Sequence, residues 1–282
     1  MQSSEISGKL CVITGANSGL GLATARELAK MGASVVMVCR NQEKCATAVE
    51  AIKKTTGNTV ESTIADLASF DSVRKLSKEL EEKYQKIHVL INNAGLIMGK
   101  RVITQDGLET TFEVNYLSHF LLTNLLLNKL KESAPARIVN VTSDAHLSGH
   151  MSFDDLQEEK GYSAMKSYCQ SKLAQVLFTY ELAERLKGSG VTVNCVHPGA
   201  VRSNWGDEAG PLGIGIRIAR PFMLSPEKGA ETAIFVATST DLADISGKYF
   251  TKKKARESSA ESYNLEERKR LWDVSMKLCG LG

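Results

Sequence analysis

Short uninterrupted apolar runs alternate along this chain with stretches whose apolar residues recur every three to four positions. The first run, residues 9–14, leads into a glycine-rich turn at 15–21. Leu20, Ala23, Leu28 and Ala29 then mark one helical face that ends at Met31-Gly32. Residues 34–39 hold Val-Val-Met-Val, the pattern of a parallel strand covered on both faces. Asn41 is placed to cap a helix reaching about Thr55, with Gly57 beyond its end. The rhythm continues with strand 59–65, helix 69–84, strand 87–92, a long helix 106–130, strand 137–142 and a helix through 173–186. Strand 191–196, helix 226–238, strand 247–250 and a terminal helix 265–278 complete it. Such alternation, with no linker or low-complexity tract, predicts one α/β domain over 1–282. Its core is a doubly wound, parallel sheet of about seven strands with helices on both faces. Two insertions interrupt the rhythm. One is 144–161; the other, 203–225, is expected to be a mobile loop rich in apolar side chains (Trp205, Leu212, Ile214, Ile216, Ile218, Phe222, Met223).

The totals narrow the class. The 282 residues are 43% hydrophobic and 24% charged, enough to bury a core without staples. A net charge of +3 is too even to point to nucleic acid or an anionic membrane. The six cysteines form no Cys-x-x-Cys pair, and Cys11, Cys39 and Cys195 sit in or end apolar runs. They read as reduced, buried small hydrophobes in a reducing compartment. Residues 1–9 hold no apolar core of signal-peptide length, and no uninterrupted apolar run reaches the ~18 residues of a membrane span. The expectation is a soluble cytoplasmic protein. His88, His119, His146, His150 and His197 show no metal-ligand spacing, so no metal is expected.

Tyr168 and Lys172 put a phenol and an ammonium one helical turn apart on one face. A phenol ordinarily keeps its proton to a pKa of about 10. A cation beside it favours the phenolate and makes it a usable acid or base near neutrality. The spacing alone is weak, because Tyr162 and Lys166 repeat it just upstream. The later copy has better company. Gly15, Asn17, Ser18, Gly19, Leu20 and Gly21 join the first strand to the first helix, where glycines let backbone N–H groups approach a pyrophosphate at the positive end of a helix. The second strand ends in neutral Cys39 followed by Arg40, where an NAD site usually carries a carboxylate for the ribose hydroxyls. A guanidinium there suits a 2′-phosphate, so NADP(H) is expected over NAD(H). Asp66 is either an acceptor for an adenine amino group or the N-cap of the next helix. Asn92-Asn93-Ala94-Gly95 ends the fourth strand with small residues that leave room for a ribose. Ser143, after the fifth strand, is either a donor to a carbonyl oxygen or a loop serine. Asn115 is a poor helix former inside the long helix.

In this order, Thr14-Gly15-x-x-x-Gly19-x-Gly21, Asn92-Asn93-Ala94-Gly95, Asn115, Ser143, Tyr168-x-x-x-Lys172 and Pro198-Gly199 resemble the short-chain dehydrogenase/reductase family. Val-Cys-Arg at 38–40, Phe-Asp-Asp-Leu-Gln at 153–157 and Arg-Leu-Trp-Asp at 270–273 are similar to its retinol dehydrogenase group. The resemblance implies a single Rossmann-type domain with a cofactor half at about 1–142 and a catalytic half at about 143–282, the latter carrying a mobile lid at about 203–225. It implies that NADPH gives a hydride to a carbonyl while Tyr168 gives the proton and Ser143 holds the oxygen. It further implies that Lys172 holds the nicotinamide ribose and lowers the Tyr168 pKa, and that Asn115 holds a water that relays protons to Lys172. Leu67, Asn93, Ala94, Gly95, Pro198, Gly199, Val201 and Ser203 would line the same cofactor. The implied substrate is a lipophilic, retinal-like carbonyl or alcohol. The 203–225 segment could instead be a dimer contact or a peripheral membrane patch, and helices 106–130 and 171–186 could pack in a homodimer or homotetramer or simply be core. Rival readings are a protochlorophyllide-type or steroid or sugar short-chain reductase, and an NADP(H)-sensing regulator without catalysis.

Overall fold

The computed structural model describes residues 5–202 and 205–282, so Ser203 lies outside the described residues. The apolar runs form β1 (Leu10–Thr14), β2 (Ser34–Cys39), β3 (Glu61–Ile64), β4 (Val89–Asn92), β5 (Ala136–Val141), β6 (Val191–His197) and β7 (Tyr249–Thr251). These pair in parallel in the order β3-β2-β1-β4-β5-β6-β7, and β8 (Lys254–Arg256) adds an antiparallel edge. The expected sheet therefore gains a strand. Lys-Ala-Arg is exposed along its length, and a polar edge strand has no apolar period by which to announce itself. It folds back through Lys252 and Lys253, both at positive φ.

Side chains of each strand alternate between two cores. Val12, Val36, Val38, Leu90 and Ile138 face one layer: α3 (Phe70–Lys83), α5 (Ser118–Leu125), α7 (Ala164–Arg185) and α10 (Leu265–Leu278). Cys11, Ile13, Val35 and Met37 face the other, built from α1 (Gly19–Lys30), α2 (Gln42–Thr56) and α9 (Pro226–Thr238). The order reverses between β1 and β4, which opens a crevice at the carboxyl ends of the strands, where doubly wound sheets bind ligands. None of the described helices is long and apolar enough to cross a membrane.

Three other expectations change. The helix read at 106–130 begins only at Thr110, where the buried Glu109 carboxylate caps α4 (Thr110–Phe112) by accepting from the N–H groups of Thr111 and Phe112. It then widens into a π turn, Glu113–Leu117, breaks at Leu126 and finishes as α6 (Leu127–Glu132). At the π turn the Asn115 side chain leaves the helix surface to bond both backbone groups of Leu96. The segment read as a mobile loop contains a helix, α8 (Pro211–Ala219), and a 3₁₀ turn, Arg220–Phe222. Pro211 starts α8 at a position where its missing N–H costs nothing. The surrounding glycines hid it. Finally, Cys39 and Cys45 are joined in a disulfide instead of being free thiols, because the end of β2 and the first turn of α2 bring their Cα atoms to 6.0 Å. Cys11, Cys169, Cys195 and Cys279 are free and buried.

Candidate active site

The crevice encloses about 1080 Å³. At one end the β1–α1 turn closes tightly. Gly15 has φ +65°, and an added Cβ would lie 2.9 Å from Ala94 Cα; one on Gly21 would lie 2.4 Å from the Gly15 carbonyl oxygen. Asn93 braces the turn by donating from Nδ2 to Thr14 O at 2.8 Å. Ser18, the N-cap of α1, makes no side-chain cap, whereas Asn41, Ser69, Ser225 and Asn264 each cap their own helix. The first N–H groups of α1 are thus left for a ligand, as an anion site requires. These residues fit a dinucleotide pyrophosphate.

Gly15, Asn17, Ser18, Leu20, Gly21, Arg40, Asp66, Leu67, Asn93, Ala94, Gly95, Ser143, Tyr168, Lys172, Pro198, Gly199 and Val201 all line this one crevice. Gly19 is the first residue of α1, and Asn115 stands behind the crevice wall, fully buried. Asp66 does not cap the next helix. Ser69 does, and the Asp66 carboxylate accepts from Ala68 N in a local turn that points it into the crevice. Arg40 stands exposed at the far mouth, 3.7 Å from the also exposed Glu208 carboxylate. Exposed pairs of this kind are worth about 0–1 kcal/mol, so a phosphate can displace Glu208.

Ser143 ends just past β5 in an extended conformation and opens the 3₁₀ turn Asp144–Ser148, its hydroxyl accepting from Ala145 N. The Tyr168 phenol lies beside it, near enough for that hydroxyl to favour the phenolate. Tyr168 and Lys172 are on α7, with the ammonium 5.6 Å from the centre of the phenol ring. Burial pushes the phenol up to about 12, against the Ser143 hydrogen bond, and pushes Lys172 down to about 7. The expected lowering of the Tyr168 pKa by Lys172 is therefore overturned in this geometry. Desolvation dominates the phenol, and the ammonium is turned to Val141 O and Gln175 Oε1.

Several lining residues stood in the sequence only as members of the apolar 203–225 segment, with nothing to say which of them meets the phenol. Trp205 stacks on Tyr168 with ring centres 5.1 Å apart and 23° between planes. With Ile97, Ala209, Ile216 and Met223 it builds an apolar wall beside the phenol. Ile218 and Phe222, by contrast, point outward at 71% and 92% exposure. Lys44 and Thr47 of α2 extend the Arg40 end. Helical periodicity from Asn41 could have found Lys44; nothing local could have placed Trp205 against Tyr168.

A family model described as short chain dehydrogenase matches residues 9–212. The chain is 45% identical over 284 residues to retinol dehydrogenase 13 of Homo sapiens, covering 98% of this chain and 86% of the relative. It is 46% identical over 278 residues to retinol dehydrogenase 12 of Mus musculus, covering 98% and 88%. Among solved structures, an uncharacterized protein from Mycobacterium paratuberculosis is similar with a TM-score of 0.81 and 32% identity, over 99% of this chain and 96% of that one. The Pseudomonas aeruginosa RhlG/NADP active-site complex is similar with a TM-score of 0.71 and 27% identity, over 89% and 97%.

Proposed function

We propose that this chain, which belongs to the short-chain dehydrogenase family, is an NADP(H)-dependent reductase of lipophilic carbonyl compounds, working through Ser143, Tyr168 and Lys172. That it is an oxidoreductase acting on alcohols or carbonyls follows from the family and the relatives. The observation that carries the finer reading is convergence. Ser143, Tyr168 and Lys172 come from two elements to one end of a crevice whose other end is Arg40 and whose glycine turn is built for a pyrophosphate.

The dinucleotide, when bound, supplies the hydride that reaches the carbonyl carbon. The chain's own residues handle the oxygen. The Ser143 hydroxyl donates to it as negative charge develops, and Tyr168 transfers its phenolic proton to it. Burial suits this role, since a phenol pushed up to about 12 stays protonated across physiological pH. Lys172, pushed down to about 7, titrates near neutrality beside it and has a donor left to hold the nicotinamide ribose. Arg40, with no carboxylate at the end of β2, meets the 2′-phosphate. Trp205, Ile216 and Met223 favour an apolar substrate body and exclude water. NADPH oxidation followed against a panel of aliphatic, retinoid, steroid and sugar carbonyls tests the proposal. Turnover confined to polar sugars, or a preference for NADH, would contradict it.

A further inference from the structure

The Lys172 ammonium has three N–H donors. One goes to Val141 O at 3.2 Å and one to Gln175 Oε1 at 2.9 Å, leaving one for the crevice. Gln175 is one turn further along α7, and its Nε2 donates to the Asn115 carbonyl oxygen at 2.7 Å. That oxygen also pairs with His119 Nδ1 at 3.0 Å. The other His119 nitrogen faces Thr14 Oγ1 at 2.9 Å, and Thr14 Oγ1 accepts from the backbone N–H groups of Asn93 and Ala94. The pattern is self-consistent with one tautomer. Thr14 donates to Nε2, and Nδ1–H donates to Asn115 O. Both lone pairs of the Asn115 oxygen are then held by protein side chains. Gln175 itself is buried, and its backbone carbonyl accepts from the Thr179 hydroxyl, which in turn accepts from Asn140 of β5. The amide is fixed at both ends.

We infer that Gln175 is a positioning residue for the reaction. Its amide stands between Lys172 and Asn115 and aims the ammonium at the crevice. The inference rests on the reading of Tyr168 and Lys172 as the reacting pair. An amide oxygen that accepts from an ammonium stabilises its charged form against burial. The titratable groups around Lys172 are Tyr168 on its own helix, His119 from α5 and His197 at the end of β6, the last paired with Asp144 at 3.3 Å. None of these supplies the carbonyl acceptor that Gln175 does.

Two variants separate positioning from packing. Gln175→Met keeps the volume and deletes both hydrogen bonds; Gln175→Glu keeps the shape and adds a charge. The Lys172 midpoint is read by NMR titration of 13C-lysine-labelled protein, beside kcat–pH profiles with a reducible carbonyl. Gln175→Met is expected to lower the midpoint by about one pH unit and move the alkaline limb of kcat down with it. Gln175→Glu is expected to raise the midpoint. An unmoved Lys172 midpoint in either folded variant would overturn the role of Gln175. Because the NMR midpoint needs no turnover, that failure is distinct from failure of the catalytic reading, which shows instead as undiminished turnover in Tyr168→Phe.

Discussion

Tyr162-x-x-x-Lys166 and Tyr168-x-x-x-Lys172 share a spacing and almost nothing else. The upstream tyrosine precedes α7, so its lysine is not one helical turn away on the same face. Its hydroxyl donates to Met98 O at 2.8 Å and sits near the buried Glu109 carboxylate, and Lys166 reaches out toward Glu158 at 4.0 Å with half its side chain in solvent. The downstream pair lies inside α7, against β5, with Ser143 opposite and Lys172 only 4% exposed. Burial pushes both phenols up to about 12. Only one of them faces a crevice that can hold a reactant. A spacing becomes chemistry when helix phase aims both groups at a shared cavity.

The contrast can be broken by paired substitutions. Tyr168→Phe should lower kcat ~10²–10⁴-fold with NADPH binding retained, as measured by cofactor fluorescence. Tyr162→Phe should leave kcat within about twofold and cost ~0.5–1.5 kcal/mol of stability for the lost bond to Met98. Comparable losses from the two would erase the distinction. Ser143→Ala should lower kcat ~10²–10³-fold through loss of the oxyanion donor, seen in steady-state rates. At the other end of the crevice, Arg40→Ala should raise KM for NADPH ~10–100-fold while leaving NADH nearly unchanged; equal effects on both cofactors would remove Arg40 from the 2′-phosphate.

Smaller effects come from behind the pair. Burial holds His119 down to about 4 from an ordinary 6.5. Between those values the unfolded chain binds a proton that the folded chain refuses, so this group makes stability fall as pH drops from 6.5 toward 4. Glu113, which burial pushes up to about 8, acts in the opposite sense over part of that range. The test is therefore the difference between wild type and His119→Gln in thermal melts from pH 7 to 4, which should show the variant losing less stability on acidification. Smallest of all is Lys166→Ala. An exposed pair with Glu158 predicts a change within about 1 kcal/mol and unaltered kinetics.

Helices 106–130 and 171–186, read as dimer contacts or core, are core within this chain. Phe120 and Phe178 pack on Trp272 of α10, and Arg185 lies 4.1 Å over the same indole. Periodicity shows that a helix has an apolar face; it does not show whose surface will cover it.

The alternation of apolar runs and helical faces, the glycine turn, Arg40 after β2 and the Tyr168–Lys172 spacing were all readable along the chain, because each depends on residues within a turn or a strand of one another. Tertiary structure alone decided the rest. Trp205 meets Tyr168, Gln175 reaches Asn115, Cys39 joins Cys45, and burial rather than the neighbouring ammonium sets the phenol's acidity. Hydrogen-bond partners and desolvation belong to the assembled cavity, and no local pattern of side chains encodes which distant groups will share it.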